Sequence, residues 1–266
     1  VPIVILEGCD GAGKTTLAEE IQDVWFRIKQ PEDNRIPQVT TIHFGPPDPI
    51  TSDETLEMYG ARLRKRLLRD IEAFDHTDST KLLIVDRLHI GSYVYGNLFR
   101  PETSVGGWGE LGRDGLSYVD DAYAAKGAVM AILLPDAGTL VRRSASRVDE
   151  FLDSVSLSVP GDSNAASERA RQLVEIATAY EVFVRMYGSD YATYRRIGHP
   201  YYTDPERNPG YPDIAYETDV KLVAADIVGR AIDASLDVAR NEADILDPDG
   251  SIRRAIAEDR LKMEKE

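Results

Sequence analysis

The sequence predicts an α/β fold of three layers: a parallel five-stranded sheet, helices on both of its faces, and a helical lid. Three observations predict it. Short β-branched runs alternate along the chain with longer stretches of helical period, the pattern of strand–helix–strand units. The runs are short and continuously apolar, as in strands buried on both faces. A glycine-rich loop ending in lysine and threonine directly follows the first run and opens the first helix.

The elements follow in order. Val1 to Leu6 reads as a buried strand that stops at Glu7-Gly8. Lys14 to Gln30 carries Leu17, Ile21, Val24, Trp25 and Ile28 at helical spacing. Gln38 to Phe44 is a second strand, ended by Gly45-Pro46-Pro47. Asp53 to Phe74 has an apolar stripe of Leu56, Tyr59, Leu63, Leu67, Ile71 and Phe74, so it is a long amphipathic helix. Its other face holds Arg62, Arg64, Lys65, Arg66 and Arg69, either a solvated face or one that attracts an anionic substrate. Leu82 to Asp86, Val129 to Leu134 and Tyr194 to Ile197 supply the third, fourth and fifth strands. Helical patterns cover Tyr118–Lys126, Gly138–Leu152, Ala165–Tyr187 and Asp219–Ala239. Glycine-rich Phe99–Gly115 and the Pro/Tyr-rich stretch Gly198–Tyr216 read as loops, and Asn241–Glu266 as a charged tail or an appended helix.

Composition narrows the function classes. The formal net charge of −15 repels long nucleic acids, which proteins usually hold on basic surfaces. Any phosphate site must therefore rest on backbone N–H groups and a few placed cations. The single cysteine, Cys9, fits a reducing compartment. No run approaches the length of a membrane span, and Val1–Leu6 is too short for a signal peptide, so the expected location is the cytoplasm.

Gly8-Cys9-Asp10-Gly11-Ala12-Gly13-Lys14-Thr15 matches G-x-x-x-x-G-K-[ST] at every fixed position. Glycines let the backbone approach phosphates, and successive N–H groups then form an anion nest at the positive end of a helix. The motif predicts ATP as the ligand, cradled by Gly8, Asp10, Gly11, Ala12, Gly13, Lys14, Thr15 and Thr16. Lys14 reaches the β- and γ-phosphates, and the Thr15 hydroxyl ligates Mg²⁺. Cys9 is a small filler or, at a helix N-terminus, a reactive thiol. Asp86 ends the third strand, where an aspartate of such proteins holds Mg²⁺ or orients the nucleophile, and Arg87 then lies beside the phosphates. Arg142, Arg143 and Arg147 follow the fourth strand. Arg143 and Arg147 are one helical turn apart and suit a lid, about 142–163, that delivers cations to the transferred group.

Leu6 to Thr16, Asp86-Arg87 with Ser92 and Tyr95, and Asp136 to Arg147 resemble, in order and spacing, the thymidylate kinases. The resemblance implies a P-loop NTPase fold over roughly 1–240, transfer of the ATP γ-phosphate to a deoxynucleoside monophosphate, and a homodimer. It also implies that Asp10 contacts the acceptor sugar or phosphate and that Arg87 binds the acceptor phosphate. Some members carry an arginine within the loop; here that place is Ala12, which leaves the transition-state cation to Arg143 and Arg147. The family's Asp-Arg-Tyr has Leu88 as its third residue here, and His43-Phe44-Gly45-Pro46-Pro47 replaces its Arg-Glu-Pro-Gly stretch. On this acceptor side Phe44 is expected to stack on the base, Tyr95 on base or sugar, and Arg100 to pair with the acceptor phosphate. His43 and His89 are expected in packing roles, and the adenine contact near Arg195, Arg196 and Gly198.

Two other classes remain open. A nucleoside, modified base or nucleic-acid end could replace the monophosphate acceptor. A nucleotide-gated switch or hydrolase could share the loop, although the guanine motif of GTPases and the Leu-Ser-Gly-Gly signature of transporter-type ATPases are absent.

Overall fold

The computed structural model describes residues 1–29, 36–74, 78–136, 138–140, 163–202 and 220–246. Strands β1 (Ile3–Gly8), β2 (Gln38–His43), β3 (Lys81–Asp86) and β4 (Val129–Leu134) form the parallel sheet. Every residue of β1 and β4 is buried, because helices cover both faces. Helices α1 (Lys14–Ile28) and α7 (Val220–Leu246) pack on each other and on the strands. A second set comprises α2 (Leu56–Ala73), α3 (His89–Phe99), α4 (Gly112–Ala125), α5 (Ser163–Tyr187) and the short α6 (Ala192–Arg195). Within this set α3 rests on β1 and α5 on β4. Leu17, Ile21 and Trp25 of α1 and Val223, Ile227 and Val228 of α7 are buried in the core that these two packed helices share. Ile90, Val94, Leu116, Tyr123, Tyr180 and Phe183 are buried among the second set.

Among the described residues the sheet has four full strands, not five. A two-residue pairing, β5 (Tyr201–Tyr202), adds to its edge beside Leu133–Leu134 and completes the order β2-β3-β1-β4-β5. Residues 194–197, expected as the fifth strand, instead run from α6 into a turn; Ile197 and Gly198 donate backbone hydrogen bonds to the Tyr194 carbonyl. A short apolar run has no period that separates strand from helix, and here Asp120 decides the matter. Its buried carboxylate accepts the Ala192 N–H at 2.6 Å and the Thr193 N–H at 3.4 Å, which caps the turn as a helix.

Three further elements differ from expectation. α3 was not foreseen, yet β3 must cross over to reach β4, and a helix does this. α4 begins at Gly112, within the stretch expected as loop. α7 continues through the expected tail boundary to Leu246. Among the described residues no helix is long and apolar enough to cross a membrane.

The order places β1 between β3 and β4. From β1 the chain moves towards β2 and β3 on one side, then crosses to β4 on the other. Ligands of parallel α/β sheets bind at the carboxyl ends of strands where the order so reverses. Loop 8–15 leaves β1 at that place.

Candidate active site

The loop is built by its glycines. A Cβ on Gly8 would lie 2.6 Å from the Leu133 carbonyl oxygen, and the residue has φ +140°, so no side chain fits between loop and β4. Gly11 and Gly13 also have positive φ, and Gly13 caps α1. The Ala12 N–H donates to the Cys9 carbonyl at 3.2 Å, which closes the turn. Thr15 and Thr16 sit exposed on the first turn of α1. Lys14 is buried, and its ammonium donates to the carbonyls of Gly8 and Cys9, both at 2.9 Å. Burial lowers its pKa, as does the nearby Arg87, while Asp86 and Asp10 act in the other direction. Cys9 is fully buried, and burial pushes its thiol up to about 11; the thiol is not activated, because desolvation outweighs the neighbouring Lys14.

Three strands' ends meet behind this loop. Asp86 ends β3 opposite His43 of β2, and His43 Nδ1 is 2.8 Å from Asp86 Oδ2. The other oxygen, Asp86 Oδ1, is buried and has no hydrogen-bond partner among the described residues. Arg87 follows with φ +67°, the one non-glycine positive φ among the described residues. Its N–H is held by the Leu6 carbonyl at 2.9 Å, which ties this strained backbone to β1. Its guanidinium ion-pairs with Asp10 and lies 5.0 Å from the centre of the Tyr95 ring.

Glu7 was missed by sequence reasoning. It is fully buried one residue before the loop. Its Oε1 accepts the N–H groups of Leu88 (2.8 Å) and Gly91 (3.2 Å), and its Oε2 accepts the Tyr180 hydroxyl (3.0 Å). Burial raises its pKa, and these three donors oppose the rise. The carboxylate thus caps α3, whose own N-cap, Leu88, has no side-chain acceptor. The only available signal was an acidic residue within an apolar run.

A cavity of about 220 Å³ opens beside Arg87. Phe44, Arg87, Tyr95 and Arg100, all expected on the acceptor side, line it together. Leu63, Leu67 and Leu88 make its apolar wall, and Arg66 and Ser92 add polar groups. The Tyr95 hydroxyl is buried without a hydrogen-bond partner among the described residues, and burial raises its pKa. Arg100 is not a free cation: its Nε lies 2.6 Å from Oε1 of the buried Glu110, which also accepts the Tyr59 hydroxyl at 2.8 Å. Two arginines of the α2 basic face hold the segment after β2, and Arg66 does so at the cavity rim. Arg66 donates to the carbonyls of Gly45 (3.1 Å) and Pro46 (3.3 Å); Arg62 donates to the Pro49 carbonyl at 3.1 Å and pairs with Glu54 at 2.8 Å.

Other expected residues lie elsewhere. His89 is fully buried, 5.4 Å from the Tyr191 ring centre, and burial pushes its pKa down to about 4 against the opposing Asp120. Arg196 donates to the carbonyls of Ala128 (2.6 Å) and Ala124 (2.8 Å), so it closes the end of α4. Arg142, Arg143 and Arg147, with the expected lid, lie outside the described residues, as do residues 203–219 of the Pro/Tyr-rich stretch and the tail from 247.

No protein-family model matches this sequence, and no curated protein matches it.

Among the described residues no group of three or more His, Cys, Asp or Glu forms a metal cage. Mg²⁺ needs no such cage, since it uses one or two protein oxygens and completes its shell with phosphates and water. The orphaned Asp86 Oδ1 and the exposed Thr15 suit that mode.

Proposed function

We propose that this chain has a P-loop NTPase fold and is a kinase that transfers the γ-phosphate of ATP, with Mg²⁺, to a deoxynucleoside monophosphate of the dTMP kind. The observation that carries the proposal is the Asp10–Arg87 pair. It joins a phosphate-binding loop to a cavity walled by Phe44 and Tyr95, so donor and acceptor surfaces share one edge.

Each residue then has a task. The N–H groups of loop 8–15 and the first turn of α1 receive the donor phosphates. Lys14 leaves the carbonyls of Gly8 and Cys9 and binds the β- and γ-phosphates. Thr15 and Asp86 hold the cation; when bound, Mg²⁺ supplies charge neutralisation of the phosphates. Arg87 binds the acceptor phosphate, and Asp10 and Tyr95 fix its guanidinium in place. Phe44 offers its face to the base. Arg143 and Arg147 are the proposed transition-state cations. A phosphate acceptor is already anionic at neutral pH, so none of these residues has to remove a proton from it.

The cavity favours a small base. At about 220 Å³ it falls below the roughly 300–1,000 Å³ of most ligand pockets. A single-ring base with its sugar suits that volume better than a purine, with the phosphate left at the Arg87 edge.

Incubation with ATP, Mg²⁺ and each nucleoside monophosphate, followed by separation of the products, tests the proposal. A pyrimidine deoxynucleoside diphosphate is expected. Phosphorylation of unphosphorylated nucleosides alone would move the assignment to a hydroxyl acceptor, and hydrolysis with no acceptor phosphorylated would sink it.

A further inference from the structure

We propose that His43 is a positioning residue for the nucleotide-bound cation: it fixes the Asp86 carboxylate so that Oδ1 is presented to the metal. The inference rests on the kinase reading above and concerns a residue expected only to pack.

The two residues are the last of β2 and β3 and stand opposite each other in the parallel register. The strands stay paired beyond them, since the Phe44 N–H donates to the Asp86 carbonyl at 3.1 Å. The backbone positions are therefore fixed on both sides of the contact. His43 Nδ1 takes Asp86 Oδ2 at 2.8 Å, so that oxygen is engaged from the outer side of the sheet. The exposures are unequal. The His43 side chain is 57% exposed, and the Asp86 side chain 20%. His43 is thus dispensable for the core, and its hydrogen bond is spent on one carboxylate oxygen.

The other oxygen is the informative one. Oδ1 is buried and has no partner among the described residues. A buried carboxylate oxygen is normally satisfied, so one held bare beside an anion loop calls for a positive ligand. Asp86 is close enough to Lys14 for its charge to favour the ammonium, which locates it at the loop. Lys14 is itself engaged by two loop carbonyls. A carboxylate that ligates a metal performs best when a neighbour fixes its orientation, and loss of such a neighbour typically costs about 10–100-fold in metal affinity. His43 is that neighbour.

The test measures Mn²⁺ binding in the presence of a non-hydrolysable ATP analogue, from the paramagnetic resonance signal of free Mn²⁺. The wild-type chain, His43→Ala and His43→Asn are compared. His43→Ala is expected to weaken Mn²⁺ binding about tenfold, with analogue affinity in EDTA and the thermal midpoint unchanged. His43→Asn, which keeps a side-chain N–H donor near the position of Nδ1, is expected to restore most of the loss. Equal Mn²⁺ affinity in wild type and His43→Ala overturns the inference and leaves the kinase reading standing. An equal loss of analogue affinity with and without metal also overturns it, because His43 would then act on the loop as a whole. A wild-type chain that binds neither analogue nor Mn²⁺ overturns both.

Discussion

Arg87 stands in the left-handed region of backbone space with its guanidinium against the Asp10 carboxylate. A positive φ at a non-glycine residue is costly, and it persists only where surrounding contacts over-determine it. Here the Leu6 carbonyl holds the backbone, and Asp10 and Tyr95 hold the side chain. Arg87→Ala is expected to lower kcat/KM for the acceptor by about 10³-fold, in line with loss of a placed charge on a phosphoryl group. Arg87→Lys should recover little, since a point charge does not reproduce a planar fork lying over Tyr95. Steady-state kinetics with both substrates varied decides this; an unchanged acceptor kcat/KM in Arg87→Ala would remove Arg87 from the site.

Lys14→Ala is expected to reduce phosphoryl transfer by 10³-fold or more. In the free protein the same change leaves the carbonyls of Gly8 and Cys9 without their side-chain donor. A small drop in thermal midpoint should therefore accompany the kinetic loss. Near-normal turnover would contradict the role given to the loop.

Phe44→Ala should raise the KM for the acceptor about tenfold and leave kcat and the ATP KM nearly unchanged. Stacking of a base on a ring is worth on the order of 1–3 kcal/mol and is made equally in ground and transition states. Phe44 is buried at the cavity, so a parallel measurement of the thermal midpoint separates loss of stacking from loss of packing.

If Arg143 is the proposed transition-state cation, Arg143→Ala should lower kcat more than it raises KM, because such a cation meets the transferred group mainly in the transition state. The reverse pattern would reassign Arg143 to ground-state binding.

His89 links stability to pH. Unfolded, its imidazole takes a proton near 6.5; folded, burial delays this to about 4. Between those values the unfolded chain binds more protons, so stability rises with pH across the window and is lost as pH falls through it. The contribution is on the order of 3 kcal/mol. Urea titrations from pH 4 to 7 should show the slope in wild type and a shallower one in His89→Gln. Identical slopes would show that the acid sensitivity arises elsewhere.

Local patterns were legible in the sequence, and partnerships across the sheet were not. β4 falls within the boundaries expected from its apolar run, and α1 starts at the expected Lys14, because strand period, glycine and lysine are all local signals. α3 escaped detection because Gly91 and Gly96 look like helix breakers. In the fold, a Cβ on Gly96 would lie 3.1 Å from both the side chain and the backbone N of Glu110, so the residue is small for packing. Phe44, Tyr95 and Arg100 were each expected on the acceptor side, and they line one cavity. The engagement of Arg100 by Glu110 and of Asp86 by His43 depends on loop path and strand register, which no spacing reveals.

Glu7 touches both halves of the candidate site from behind. It sits on the strand that launches loop 8–15, and it grips the first turn of the helix that follows Asp86-Arg87. Its remaining oxygen is held by Tyr180, which α5 brings from far along the chain. One buried carboxylate thus ties the loop's strand to the helix beside the cavity. In the proposed kinase, the distance between donor loop and acceptor cavity would be set when the chain folds, before either substrate arrives.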